Sequence, residues 1–253
     1  MQIIDDVVQV DVGDGVAVVT LNRPAKLNAI NASVRDRLLH HLPELDSSTN
    51  VKAIVLTGSG QRAFSAGQDM EETAAIGPSD IAGWLNHQYA MFQSVRNVNK
   101  PIIAALNGIA VGAGFQIALM CDLRVAHSEV ALGQPEVKVG LASIIGSYLI
   151  SLQVGHSLNQ QLSLTGEPIF GERASQLGLI NELVTIEEVL PRAIELASRL
   201  AAQPAVGLRM TKQRFRERTQ ADFDETWRAA IRYQLECFST DEPRKAMQRF
   251  VKK

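Results

Sequence analysis

Apolar residues in this chain fall in short β-rich runs that alternate with stretches where they recur every third or fourth position. Residues 7–12 and 16–21 flank Gly13-Asp14-Gly15, the pattern of two strands joined by a tight hairpin turn. Asn22-Arg23-Pro24-Ala25 ends the second run. Over 29–45, Ile30, Val34, Leu38 and Leu42 repeat near the helical period and predict one amphipathic helix. Residues 51–57 read as a buried strand that stops at Gly58-Ser59-Gly60. Residues 81–98 read as a helix with Trp84, Leu85, Tyr89, Phe92 and Val95 on its apolar side. A short strand over 101–106, a helix over 113–121 and a strand over 123–126 follow.

Helical patterns then cover 144–154 and 158–164, a loop covers 165–171, and a short helix leads to a strand over 179–184. From 187 onward the chain is almost wholly helical: 187–202, 204–218 with Pro204 near the first turn, 222–238 and 243–251. Strands alternating with helices predict an α/β arrangement with parallel strands, closed by a helical tail. The expected division is a core over 1–200 and a helical region over 201–253.

Composition narrows the function classes. A chain of 253 residues with 46% hydrophobic and 21% charged residues has the make-up of a soluble globular protein with a substantial core. A net charge of −2 gives no nucleic-acid footprint. Cys121 and Cys237 lie far apart and read as buried thiols. The five histidines form no H-E-x-x-H or comparable ligand pattern, so no metal site is expected. The N-terminus lacks a basic segment followed by an apolar one, as a signal peptide would have. The apolar stretch 102–121 is broken by Asn107, its glycines and Gln116, against a membrane span. The expected setting is cytoplasmic.

Two Gly/Ala-rich turns stand out, Phe64-Ser-Ala-Gly-Gln-Asp69 and Gly108-Ile-Ala-Val-Gly-Ala-Gly-Phe-Gln116, each between a strand-like run and a helical pattern. Small residues there permit tight packing, and they also leave bare N–H groups at helix N-termini. A nucleotide reading fails: Gly112-Ala-Gly-Phe-Gln-Ile117 ends on Ile where the dinucleotide pattern needs a small residue, and there is no G-x-x-x-x-G-K-[ST]. Gly155-His-Ser-Leu-Asn159 misses the nucleophile elbow at its last position. Gly133-Gln-Pro-Glu136 follows the turns and supplies a carboxylate.

Taken in order, Asn22-Arg-Pro-Ala-Lys-Leu-Asn-Ala-Ile30, the two turns and Gly133-Gln-Pro-Glu136 resemble the crotonase superfamily, the enoyl-CoA hydratase/isomerase family. The resemblance implies a spiral of repeated ββα turns with a C-terminal helical trimerisation region and assembly as a homotrimer or hexamer. It also implies an acyl-CoA thioester substrate, with coenzyme A carried as part of the substrate and no separate cofactor. Partners among nucleic acids or membranes are not implied. By the same resemblance the backbone N–H groups of Ala66 and Ala113, beside Gly67 and Gly114, bind the thioester oxygen.

Family hydratases flank the substrate with two glutamates. The second matches Glu136, whereas the first falls at Gln116. A carboxylate accepts a proton from water; an amide only orients it. Glu136 alone suffices to move a proton from the α- to the γ-carbon of a 3-enoyl thioester, so double-bond isomerisation is the expected reaction. Hydration with Gln116 positioning water, acyl-CoA hydrolysis and decarboxylation are alternatives, and a non-catalytic RNA-binding relative is a remote one. Ser143-Ile-Ile-Gly146 replaces a Pro-Gly-x-Gly-type stretch. Ile144 and Ile145 there either narrow the acyl pocket or pack in a first helical turn. The helix carrying Trp84, Tyr89 and Phe92 commonly borders that pocket in the family. The resemblance places Lys26 and Leu27 beside the adenosine end of CoA, with Phe250 and Lys253 contributed from a neighbouring subunit toward its 3′-phosphate. Asp69 and Asp122 match recurrent family positions. Asp69 is counted with the substrate-binding segment, although both acids read as capping or bonding nearby backbone. Arg209, Lys212, Arg214, Arg216 and Arg218 read as a solvated helix face.

Overall fold

Between residues 53 and 133 successive strands alternate between two sheets, and that alternation decides where the Gly/Ala turns lie. The computed structural model describes residues 2–4, 7–77 and 79–251, except the side chains of 2–4, 250 and 251. In chain order the strands are β1 (Gln2–Ile4), β2 (Val8–Gly13), β3 (Val16–Leu21), β4 (Ala53–Gly58), β5 (Ala63–Ser65), β6 (Ile102–Leu106), β7 (Ile109–Val111), β8 (Leu123–Ala126), β9 (Ala131–Gly133), β10 (Ile169–Phe170) and β11 (Glu182–Leu183). A seven-stranded sheet runs β1-β2-β3-β4-β6-β8-β11, and a four-stranded sheet runs β10-β9-β7-β5. Strands β3, β4, β6, β8 and β11 pair in parallel, as do β5, β7 and β9. The hairpin turn rests on Asp14 and Gly15, both at positive φ (49° and 80°), with Gly13 in the strand. Two left-handed residues match the twist of the flanking strands.

The helices are α1 (Ala32–Ser47), α2 (Met70–Ala75), α3 (Ile81–Asn97), α4 (Ala113–Met120), α5 (Ile144–Ser151), α6 (His156–Thr165), α7 (Gly171–Gln176), α8 (Val189–Ala201), α9 (Ala205–Phe238) and α10 (Glu242–Val251). Helix α1 begins later than its periodicity because the Asn31 side chain accepts from Val34 N–H and fixes the start. The patterns over 204–218 and 222–238 form one helix of 34 residues. Thr219, Gln220 and Ala221 between them contain no Gly or Pro to break it. The strand expected over 179–184 shrinks to β11, since Leu179 N–H bonds Ala174 O and Asn181 N–H bonds Arg124 O before the ladder starts.

The large sheet is covered on both faces, so β4 and β6 are buried throughout. Val16, Ala53, Val55, Ile103, Ala105 and Val125 face α8. The alternate positions Ile54, Leu56, Ile102, Ala104 and Leu106 join the main core with α1, α3 and α4. The second half of α9 enters that core too: Phe223 is fully buried and Trp227 is 5% exposed. Tyr89 of α3 stacks on Phe223 at 6.0 Å. The basic run on α9 is only partly a solvated face, because Lys212 Nζ bonds Asp122 Oδ2 and Lys100 O, both at 2.6 Å. Arg216 Nη1 likewise donates to Asn97 O at 3.1 Å. No helix among the described residues is long and apolar enough to cross a membrane.

Candidate active site

Three ββα units repeat along the chain: β4-β5-α2, β6-β7-α4 and β8-β9-α5. Because β5, β7 and β9 are parallel neighbours, the three strand-to-helix junctions stack side by side. Their backbones touch. Gly112 N–H bonds Gly133 O at 3.0 Å, tying the second junction to the third. Gly67, at φ +86°, lies so close to the second junction that a Cβ there would sit 2.7 Å from Val111 O and 3.2 Å from Ala113 N. A Cβ on Gly114 would meet Ser65 O at 2.5 Å. The small residues are therefore required by close approach as well as by local conformation.

Packing of the 22–30 segment on the first junction corrects one residue of the sequence reading. Ala66 N–H donates to Leu27 O at 2.9 Å and is engaged within the fold. In the same turn the backbone N–H of Gln68, one residue past Gly67, has no acceptor among the described residues, and neither has the N–H of Ala113 at the start of α4. Gln68 and Ala113 are thus free donors in adjacent junctions, the second at the uncapped first turn of α4. Sequence alone misses Gln68, because the Ala66–Leu27 bond joins segments far apart in the chain.

Glu136 follows β9 on a short 3-10 turn, Pro135–Val139. Its Oε1 accepts from Gln116 Nε2 at 2.9 Å, and the same nitrogen donates to Gln134 Oε1 at 3.0 Å. Both protons of the Gln116 amide nitrogen are thereby engaged. Burial pushes the Glu136 carboxyl up to about 7, against the lowering effect of its backbone bond and of Gln116. Gln134 is a further site residue that motif reading passes over. It is fully buried, and Gly146 on α5 makes room for it, since a Cβ there would lie 2.1 Å from Gln134 Oε1.

Gln116, Glu136 and Ala113 line a cavity of about 60 Å³ with Gln68, Ile144 and Trp227 among the other walls. Ile144 and Ile145 form the first turn of α5, as one of the two expected alternatives has it, and they also line this cavity. Among the described lining residues Glu136 is the one titratable group. A larger cleft of about 720 Å³, bordered by Lys52, Lys100 and Arg209, contains none of this constellation.

The remaining predicted residues lie around this centre. Asp69 caps α2 by accepting from Glu71 and Glu72 N–H, and Arg23 Nη1 bonds it at 2.8 Å. Burial raises the Asp69 carboxyl, yet the Arg23 bond and the backbone N–H groups outweigh it and hold the group below its usual range. Asp69 is thus engaged by the protein, in contrast to its place among substrate-binding residues. Lys26 Nζ pairs with Glu71 at 2.6 Å on an exposed edge, and Leu27 sits at φ +50°. The side chain of Phe250 and all of Lys253 lie outside the described residues. Away from the cavity, His40, His41 and Glu44 on α1 bring one ligand atom each within 4.8 Å of one another. Their sequence spacing alone gave no such grouping.

With this geometry in place, comparison with known proteins gives a consistent set of matches. A family model described as enoyl-CoA hydratase/isomerase matches residues 11–253. The chain is 34% identical over 239 residues to a short-chain-enoyl-CoA hydratase of Clostridium acetobutylicum, covering 94% of this chain and 92% of that protein. It is 35% identical over 204 residues to a 2,3-dehydroadipyl-CoA hydratase of Escherichia coli, covering 80% and 78% respectively. Among solved structures, an enoyl-CoA hydratase/isomerase from Mycobacterium paratuberculosis superposes with a TM-score of 0.89 at 25% identity, over 97% of this chain and 98% of that one.

Proposed function

The chain belongs to the enoyl-CoA hydratase/isomerase family, and from that premise we propose that it shifts the double bond of an enoyl-CoA thioester, with Glu136 moving the proton. One observation carries the reading: the cavity holds a single carboxyl, near pKa 7, and an amide at Gln116 where a second acid would stand. The Glu136 carboxylate takes a proton from C2 of a 3-enoyl thioester, and the electron pair moves onto the thioester oxygen as a dienolate. The backbone N–H groups of Gln68 and Ala113 donate to that oxygen. Such a pair of fixed donors in a dry site is worth about 10²–10³ in rate per donor. Protonated Glu136 then returns the proton at C4, which yields the 2-enoyl thioester. A carboxyl near pKa 7 suits both halves of this exchange. The reaction uses coenzyme A only as part of the substrate, and a trimer is the proposed assembly.

A second reading, water addition to a 2-enoyl thioester, is favoured by the relatives named as hydratases. In it Glu136 takes a proton from water as the water oxygen bonds C3, protonated Glu136 returns that proton to C2, and Gln116 orients the water through its amide oxygen. The two readings separate when the purified protein is given 3-enoyl-CoA and 2-enoyl-CoA in parallel, with product followed by chromatography. Conversion of 3-enoyl to 2-enoyl thioester supports isomerisation. Efficient hydration with no double-bond shift replaces the first reading by the second. Full activity of Glu136→Gln in both assays overturns the common mechanism.

A further inference from the structure

Four residues of the cavity wall carry a buried side-chain N–H with no partner among the described residues: Gln68 Nε2, Trp84 Nε1, Gln88 Nε2 and Trp227 Nε1. Gln88 is 7% exposed and Trp227 is 5% exposed, so these groups are withdrawn from water. Buried polar groups in folded proteins are nearly always paired, and an orphaned donor is a position for a ligand acceptor. Three of the four cannot be read as acceptors. An indole only donates, and the Gln68 amide is oriented by Arg35, whose Nη1 donates to Gln68 Oε1 at 3.2 Å. The Gln68 nitrogen is therefore the end left over.

Placement separates these donors from the reacting atoms. Trp84 and Gln88 lie four residues apart on α3 and share one face of it. Trp227 comes from α9 and packs edge-on to Phe92, one further turn along that face, with ring centroids 6.1 Å apart. None of these three belongs to the junctions that hold Glu136 and the free backbone donors. A purely hydrocarbon acyl chain would leave the whole set unpaired.

Charge narrows the acceptor. No Lys or Arg lines the cavity among the described residues. Arg35, which holds the Gln68 amide, is already paired with both oxygens of Glu72 at 2.8 and 2.9 Å. A carboxylate on the acyl chain would be buried near Glu136 without a counter-charge, which is strongly unfavourable. A carbonyl or hydroxyl oxygen meets the same donors without that cost.

Building on the thioester reading above, we infer that the acyl group this site accepts bears an uncharged oxygen, carbonyl or hydroxyl, held by the side-chain N–H groups of α3, α9 and Gln68. Saturated thioesters test this directly, because they bind but do not react. Dissociation constants are measured by titration calorimetry for hexanoyl-CoA, for its 4-, 5- and 6-hydroxy and 4- and 5-oxo forms, and for adipoyl-CoA. The expected result is that at least one uncharged oxygenated thioester binds about 10- to 100-fold tighter than hexanoyl-CoA. Trp227→Phe and Gln88→Met should each reduce that ratio. The wild-type comparison stands alone should a variant fail to fold. Equal or tighter binding of hexanoyl-CoA than of every uncharged form overturns the inference, as does adipoyl-CoA binding tightest. Binding of none of these thioesters overturns the thioester reading and this inference with it. Loss of turnover with the binding preference intact overturns only the proposed reaction.

Discussion

One end of the Gln134 amide lies 2.8 Å from Glu136 Oε1, a distance that serves a hydrogen bond from the amide nitrogen to a carboxylate or from a protonated acid to the amide oxygen. With its oxygen toward the carboxyl, Gln134 accepts from Gln116 Nε2 and suits a neutral acid whose O–H can donate to it. With the amide turned, its nitrogen donates to Glu136 Oε1 at 2.8 Å and Oε2 at 3.0 Å, which suits a carboxylate. Bonds to the charged form are the stronger ones. Gln134→Met should therefore move the acid limb of the kcat/KM profile upward from about pH 7, with KM changed less than the midpoint. Gly146→Ala should act similarly by displacing the amide. An unmoved midpoint in both variants would remove Gln134 from any part in proton handling.

Glu136 itself sets a second expectation. As a base it must be ionised, so kcat/KM should rise with pH through about 7. Glu136→Gln should lose about 10²–10⁴ in kcat/KM and show no such limb. Stability carries the opposite sign. The folded state holds this proton more tightly than the unfolded chain, so the group's contribution is fully present below pH 4.5 and is lost as pH rises through about 7. Denaturant titrations at pH 5 and pH 8 should find Glu136→Gln more stable relative to wild type at the higher pH.

Gln116→Glu would place a second carboxyl where the amide now lies 2.9 Å from Glu136. Two acids at that distance do not both ionise readily, and the pair titrates in two separated steps. The variant should hydrate 2-enoyl-CoA faster than wild type relative to its isomerisation rate, with the upper step of the pH profile moved above 7. A ratio of rates equal to wild type would show that this position does not choose the reaction.

Gly67→Ala should disable the site through the backbone. Its Cβ would press on Val111 O and Ala113 N, at a residue held at φ +86°. Loss of one correctly placed donor corresponds to about 10²–10³ in kcat. Ala66→Gly should change kcat far less, because its N–H already bonds Leu27 O. Steady-state kinetics on the pair decides whether Gln68 or Ala66 supplies the donor.

Asp69→Ala removes the cap of α2 and leaves Arg23 without its carboxylate partner. Loss of the cap alone costs about 0.5–2 kcal/mol, and the broken ion pair adds to it. The Asp69 carboxyl sits below its usual range, so its contribution is present above the unfolded pKa of 3.8 and fades as pH falls through the folded value. Chemical denaturation at pH 7 and at pH 3 should show the wild-type advantage shrinking at the lower pH.

The two Gly/Ala turns and the Pro-Glu segment were legible in the sequence because their signals are local. Small residues between a strand run and a helical run mark a junction, and Gln116 announces by its identity alone that one acid is missing. The hairpin, α1, α3 and the large-sheet strands β4, β6 and β8 were likewise readable from period and turn residues. The small sheet was not: β5, β7, β9 and β10 are two or three residues long, too short for any period to register. That sheet stacks the three junctions. Only the tertiary contacts of those junctions, with each other and with the 22–30 segment, show that Ala66 N–H is taken by Leu27 while Gln68 and Ala113 are free. Only the meeting of α3 with α9 gathers Trp84, Gln88 and Trp227 around one cavity. Residue identities in order are enough to tell which chemical groups are present and which acid is absent. Which hydrogen bonds those groups still have to give follows from folding, because pairing depends on neighbours that chain order does not reveal.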